Sequence, residues 1–107
     1  MSKATPEGKV KNLVKSYLTA LGAYQFWPVQ TGMGAATVDC LACVPMEITP
    51  DMVGTTVGVF VAIETKRADT RPKPTPRQEY VLRDVQTAGG RASVVYGEED
   101  LAHVLRR

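Results

Sequence analysis

Three residues of this 107-residue chain have the types and spacing that metal-assisted phosphate chemistry uses: Asp39, Glu64 and Lys66. Asp39 interrupts the otherwise apolar run Thr37 to Val44, and Glu64 and Lys66 finish the most hydrophobic run, Val57 to Lys66. A carboxylate buried there without a partner is costly, so the positions call for a partner or a purpose. In a β-strand, residues i and i+2 point the same way, about 6.6 Å apart. Glu64 and Lys66 therefore project from one face, with Thr65 turned away. If the strand bearing Asp39 runs alongside, two carboxylates and one ammonium converge. Two carboxylates, completed by water and phosphate oxygens, form the donor set that Mg²⁺ takes up, and Mn²⁺ is the alternative ion. The ion would acidify a bound water and polarise a phosphate. Lys66 would position that water or offset charge in the transition state. Each residue also has a plainer reading. Asp39 can be a strand-end residue paired with Lys or Arg, and Glu64 with Lys66 a surface ion pair worth little.

The elements that must hold these residues are legible in the hydrophobic pattern. Val10, Leu13, Val14, Tyr17, Leu18 and Leu21 repeat at helical spacing. Thr5 suits the N-cap of that helix, Pro6 its first position and Gly22 its end. Tyr24 to Val29 reads as a short strand that Pro28 confines to an edge or an end. Gly32-Met33-Gly34 marks a turn or loop, and Thr37 to Val44 is the next strand. A loop is expected over residues 45–56, with Pro45, Pro50 and Gly54. Val57 to Lys66 is apolar on both faces, which predicts a strand inside a covered sheet.

Arg71-Pro72-Lys73-Pro74 must be a loop. Thr75-Pro76-Arg77-Gln78 has the form of a capping box opening a helix, with Val81, Leu82 and Val85 on its apolar face and Gly89-Gly90 as its stop. Arg91 to Tyr96 is a last strand. Gly97 to Arg106 is a short helix, acidic at its start and basic at its end, as the helix dipole favours. The order αβββαβα describes a mixed α/β domain, a central mixed sheet flanked by helices. One domain over residues 1–107 is the expectation from chain length.

Net charge is only +2, too small by itself to argue for a polyanionic partner. Its distribution says more. Lys66, Arg67, Arg71, Lys73 and Arg77 face a single carboxylate, Asp69, within residues 66–77, so this stretch carries +4 and the remainder −2. Such a stretch suits a face that meets phosphates; its plainer reading is a solvated loop. No apolar run approaches the roughly 20 residues of a membrane span, and the first residues lack the apolar core of a secretory signal. A cytoplasmic location with reduced thiols is expected.

The remaining candidates read as structural. Cys40 and Cys43 form a C-x-x-C, but in a strand that spacing sends the two sulfurs to opposite faces, so core cysteines are expected. His103 is the single histidine, which excludes a multi-histidine site. Trp27 with Tyr24 and Phe26 could stack bases, although a packing cluster is the simpler expectation. Glu7 is stabilising near a helix start in any case. Gln78 is the capping-box partner of Thr75, yet its spacing to Val81, Leu82 and Val85 also turns it inward.

Taken in order, these features resemble the PD-(D/E)xK nuclease superfamily, and within it a stand-alone VRR-NUC domain. The match rests on Glu7 in the first helix, Asp39 after a Gly-rich loop, and Val61-Ala62-Ile63-Glu64-Thr65-Lys66-Arg67. It continues through Thr75-Pro76-Arg77-Gln78, Gly89-Gly90, a strand and Glu98-Glu99-Asp100-Leu101, and covers nearly the whole chain. Where family members usually carry Gly-x-Pro-Asp or similar, this chain has Gly34-Ala35-Ala36-Thr37-Val38-Asp39.

The resemblance implies a restriction-endonuclease-like fold and Mg²⁺- or Mn²⁺-dependent cleavage of DNA. Asp39, Glu64 and the main-chain carbonyl of Thr65 would be metal ligands, and Lys66 the catalytic lysine. Glu7 would face the same site, and Gln78 would orient the lysine or the substrate. Arg67, Arg71, Lys73 and Arg77 would contact DNA. Stand-alone phage and bacterial members resemble Holliday-junction resolvases and act as homodimers. A flap, end or duplex-break nuclease is the alternative within the superfamily. A DNA-binding accessory protein that kept the fold without useful catalysis is the alternative outside it.

Overall fold

The computed structural model describes residues 5–29 and 37–107, which fall within two compact units, Met1–Pro45 and Met46–Arg107. Seven regular elements follow in the order α1 (Pro6–Ala20), β1 (Tyr24–Phe26), β2 (Leu41–Cys43), β3 (Val61–Thr65), α2 (Pro76–Thr87), β4 (Arg91–Val95) and α3 (Glu98–Val104). A single 3-10 turn, Pro50–Met52, lies in the loop before β3. The protein is mixed α/β, with three helices and two sheets of two strands each among the described residues.

In the first unit, Thr5 caps α1 as its sequence suggests. Its hydroxyl accepts the Gly8 N–H at 3.0 Å, Pro6 opens the helix, and Gly22 turns the chain at φ +71°. β1 and β2 pair antiparallel, with Tyr24 opposite Cys43 and Phe26 opposite Leu41. The expected strand Thr37 to Val44 is thereby shortened to three residues. Extending the register places Asp39 opposite Pro28, which has no N–H to give to a ladder. Asp39 consequently sits in a bend ahead of the strand, not within it. The turn expected at Gly32-Met33-Gly34 lies outside the described residues. The apolar stripe of α1 stays open: Leu13 is 57% exposed and Tyr17 66%.

In the second unit, β3 and β4 pair in parallel, Val61 opposite Arg91 through Thr65 opposite Val95. The Arg91 N–H donates to the Phe60 carbonyl and the Lys66 N–H to the Val95 carbonyl, one bond beyond each end. This register explains why β3 starts at Val61 rather than at Val57. Residues 57–60 fall opposite 87–90, the last residue of α2 and the Gly89-Gly90 turn, which offer no extended partner. Gly89 takes φ +96°, a region that L side chains avoid.

Helices α2 and α3 both pack on β4. Val85 of α2, Ala88 at its C-cap and Val104 of α3 are buried, and with Cys43 of the first unit they are the buried apolar side chains among the described residues. The Arg91 guanidinium closes the C-terminal end of α3, donating to the Val104 carbonyl at 3.2 Å and to that of Arg106. It thereby satisfies carbonyls that the helix itself leaves without partners.

Candidate functional site

The C-terminal end of β3 carries a connected set of polar side chains, Glu64, Lys66 and Gln78. Glu64 and Lys66 project from one face as the strand period requires, and the Lys66 ammonium lies 3.6 Å from Glu64 Oε1. Neither side chain is on the open surface: Lys66 is 19% exposed and Glu64 30%. The pair is therefore more sheltered than an ordinary surface ion pair. Thr65, the last residue of β3, alternates to the other side and is exposed.

A third group reaches Glu64 from α2. The side chain of Gln78 donates from Nε2 to Glu64 Oε1 at 2.9 Å. Its orientation is fixed from behind, because Gln78 Oε1 accepts the Thr75 N–H at 2.9 Å while the Thr75 hydroxyl accepts the Gln78 N–H at 3.2 Å. This is a complete capping box. Gln78 completes the cap with one end of its amide and turns inward with the other, where it meets the Glu64 carboxylate rather than the Lys66 ammonium. Arg77 and Val81 line an open groove of about 290 Å³ beside Glu64 and Gln78.

Asp39 belongs to the first unit. It is exposed, and it lines a groove of about 350 Å³ with Glu7, Lys11, Trp27 and Cys40. Two of the acidic residues singled out in the sequence, Glu7 and Asp39, thus border one space. Trp27 is held by its own contacts: Nε1 donates to Gln25 Oε1 at 3.0 Å, and the Lys15 ammonium lies 5.0 Å from the ring centroid. Cys43 is buried and Cys40 half-buried, and the two are not joined in a disulfide.

The basic stretch divides by how each cation is occupied. Lys66 is paired with Glu64. Arg67 is engaged twice by Asp69, Nη2 to Oδ2 at 2.6 Å and Nε to Oδ1 at 3.1 Å. That guanidinium, with the Thr70 N–H, holds the Asp69 carboxyl below its usual value. Arg71 lies over the ring of Tyr96, its guanidinium carbon 4.3 Å from the centroid. Lys73 and Arg77 are exposed and have no ion-pair partner among the described residues. In the sequence Tyr96 carries no mark beyond that of a strand end. The missing signal was pairing: in parallel register Tyr96 stands one step past Val95, opposite Lys66.

Among the described residues, no three His, Cys, Asp or Glu side chains gather closely enough to hold one ion. Mg²⁺ commonly binds through one or two carboxylates and keeps several waters. Glu64 in one unit, and Glu7 with Asp39 in the other, are donors of the right chemistry for it. Both contacts to Glu64 fall on Oε1, so Oε2 can still face a cation. No protein-family model matches the chain, and no curated protein or solved structure matches it.

Proposed function

We propose that the chain is a metal-dependent DNA endonuclease of the VRR-NUC type, with a restriction-endonuclease-like fold and a preference for branched DNA such as the Holliday junction. The observation that carries this reading is the half-buried Glu64, held at a strand end by both an ammonium and an oriented amide. Such an arrangement holds a carboxylate aimed in one direction, which a structural ion pair would not need. The Glu-x-Lys order, the sheltered site and the basic stretch that follows it all fit phosphodiester chemistry.

In this proposal Glu64 and the Thr65 carbonyl would hold Mg²⁺ or Mn²⁺, and the carboxylates of Asp39 and Glu7 are the further ligands that the resemblance implies, Glu7 directly or through a water. When bound, the ion supplies an acidified water and Lewis-acid polarisation of the phosphate. Lys66 stabilises the charge that builds on the phosphoryl oxygens, where a fixed cation is most effective if it needs no reorganisation. Gln78 keeps Glu64 in one orientation through the reaction. Arg71, Lys73 and Arg77 are assigned to the DNA backbone, while Arg67, a fourth contact implied by the resemblance, is occupied by Asp69; a two-fold homodimer would supply the second, symmetric cut of a junction.

The test is cleavage of labelled four-way junction, flap and linear duplex in Mg²⁺ and in Mn²⁺. The wild type should cut the junction best. Glu64→Gln, Lys66→Ala and Asp39→Asn should each lose at least about 100-fold in rate while still binding DNA. Wild-type rates in all three variants would place the chemistry elsewhere. Binding without cleavage by the wild type would make the chain an accessory DNA-binding protein, and preference for flaps or ends would move it to another branch of the superfamily.

A further inference from the structure

Arg71 is the one residue other than glycine with a left-handed backbone among the described residues, at φ +47°. A side chain at that angle is strained, and such strain persists only where the surroundings hold it in place. Here the holding contacts are visible. The Arg71 N–H closes a turn onto the Arg67 carbonyl at 3.1 Å. The Tyr96 hydroxyl donates to the neighbouring Pro72 carbonyl at 2.9 Å. Tyr96 itself is anchored where its N–H donates to Asp100 Oδ2 at 2.9 Å. The Arg71 guanidinium carbon then lies over the Tyr96 ring, 4.3 Å from its centroid.

Stacking uses the face of a guanidinium and leaves its edge, where the N–H donors lie, for other partners. The Arg71 side chain has no hydrogen-bond acceptor and no ion pair among the described residues. Arg67, four residues earlier, already commits two of its donors to Asp69. The platform also stands in a telling place. One step past the paired register, Tyr96 is opposite Lys66, so the stacked guanidinium is brought to the same end of the β3–β4 pair as Glu64 and Lys66.

We infer that Arg71 and Tyr96 form a preassembled clamp for a backbone phosphate, Tyr96 acting as the positioning residue and Arg71 as the contact. The clamp rests on the nuclease reading only for the identity of the anion, the phosphodiester backbone of DNA. Arg67, by contrast, is a structural residue of the loop and contributes little to binding. A planar fork held in advance suits phosphate oxygens, because little conformational freedom is lost when the bonds form.

The experiment measures binding of fluorescein-labelled four-way junction from 50 to 300 mM salt, in Ca²⁺ to suppress cleavage, beside cleavage kinetics in Mg²⁺. Wild type, Arg71→Ala, Tyr96→Leu and Arg67→Ala are compared after their folds are checked by circular dichroism. Removing one phosphate contact should weaken binding roughly tenfold near 0.1 M salt and lower the salt slope by about one per bound chain. Arg71→Ala and Tyr96→Leu should both do this and raise KM with kcat kept, while Arg67→Ala stays within about twofold of wild type.

Equal losses in Arg71→Ala and Arg67→Ala, or none in Arg71→Ala, would overturn the clamp. Both of those are surface changes, so the contrast survives even if Tyr96→Leu folds poorly. Should the wild type bind with this pattern but not cleave, the clamp stands and the nuclease reading falls. Cleavage with unchanged KM in Arg71→Ala keeps the nuclease and removes the clamp, and a wild type that does not bind DNA removes both.

Discussion

The carboxylate of Glu64 is defined by what stands behind it. Gln78 can hold it only because the Thr75 N–H occupies the other end of the amide. Glu at this helix position completes a capping box as well as Gln does, so Gln78→Glu separates the two roles. The cap survives, but a second carboxylate replaces the amide that lay 2.9 Å from Glu64 Oε1. Two carboxylates repel one another at that distance, so one must swing away. Gln78→Glu should therefore melt close to wild type yet cleave about 10- to 100-fold more slowly, the usual effect of disturbing a ligand's partner. A variant that cleaves normally would show that the contact has no part in the reaction. Asp69 allows a cleaner measurement. Its carboxyl is depressed below 3.8 by Arg67, so the pair is in force above that pH and is lost as pH falls through the lower folded value. Carbon-13 NMR should place the Asp69 midpoint below 3.8 in wild type and raise it toward the ordinary value in Arg67→Ala, the Thr70 N–H keeping part of the depression. Both side chains are well exposed, at 74% and 62%, so salt should mute the effect.

At the scale of elements, α2 is the most informative to perturb because it joins the core to the site. Thr75→Ala removes the hydroxyl that accepts the Gln78 N–H and should cost about 1 kcal/mol in urea unfolding. It leaves the Thr75 N–H in place, so cleavage should fall far less than in Gln78→Glu. A loss of activity as deep as in that variant would mean that the hydroxyl does more than cap. This helix was legible residue by residue: Thr75, Pro76 and Gln78 open it and Gly89 stops it, all through local chemistry. The N-cap of α1 was legible for the same reason. Strand limits were not. Val57 to Phe60 has the composition of a strand, but whether it is one depends on what lies opposite, and that is the Gly89-Gly90 turn. Asp39 likewise lost its place in a strand to Pro28, a residue eleven positions earlier that no local pattern connects to it. The carboxylate–lysine pair at the end of β3 could be read from a two-residue period, whereas the Tyr96 platform needed a parallel register between strands separated by a helix.

For the whole molecule, the charges predict how binding should depend on salt. Of the five cations in residues 66–77, Lys66 is paired with Glu64 and Arg67 with Asp69. Arg71, Lys73 and Arg77 remain for phosphates. Each contact to duplex DNA contributes about 0.9 to the slope of log affinity against log salt. One chain should therefore show a slope near −3, and a two-fold pair of chains on one DNA a slope of roughly −5 to −6. A net charge of only +2 would suggest a weaker dependence, so the slope separates local from global electrostatics. If a homodimer is the active form on a junction, light scattering of the complex should find two chains of 11.6 kDa together with the steeper slope. The shallower slope with one chain bound would remove the dimer and leave the phosphate face intact. A flat response would remove the phosphate face itself, because no arrangement of these cations against a DNA backbone can avoid displacing counterions.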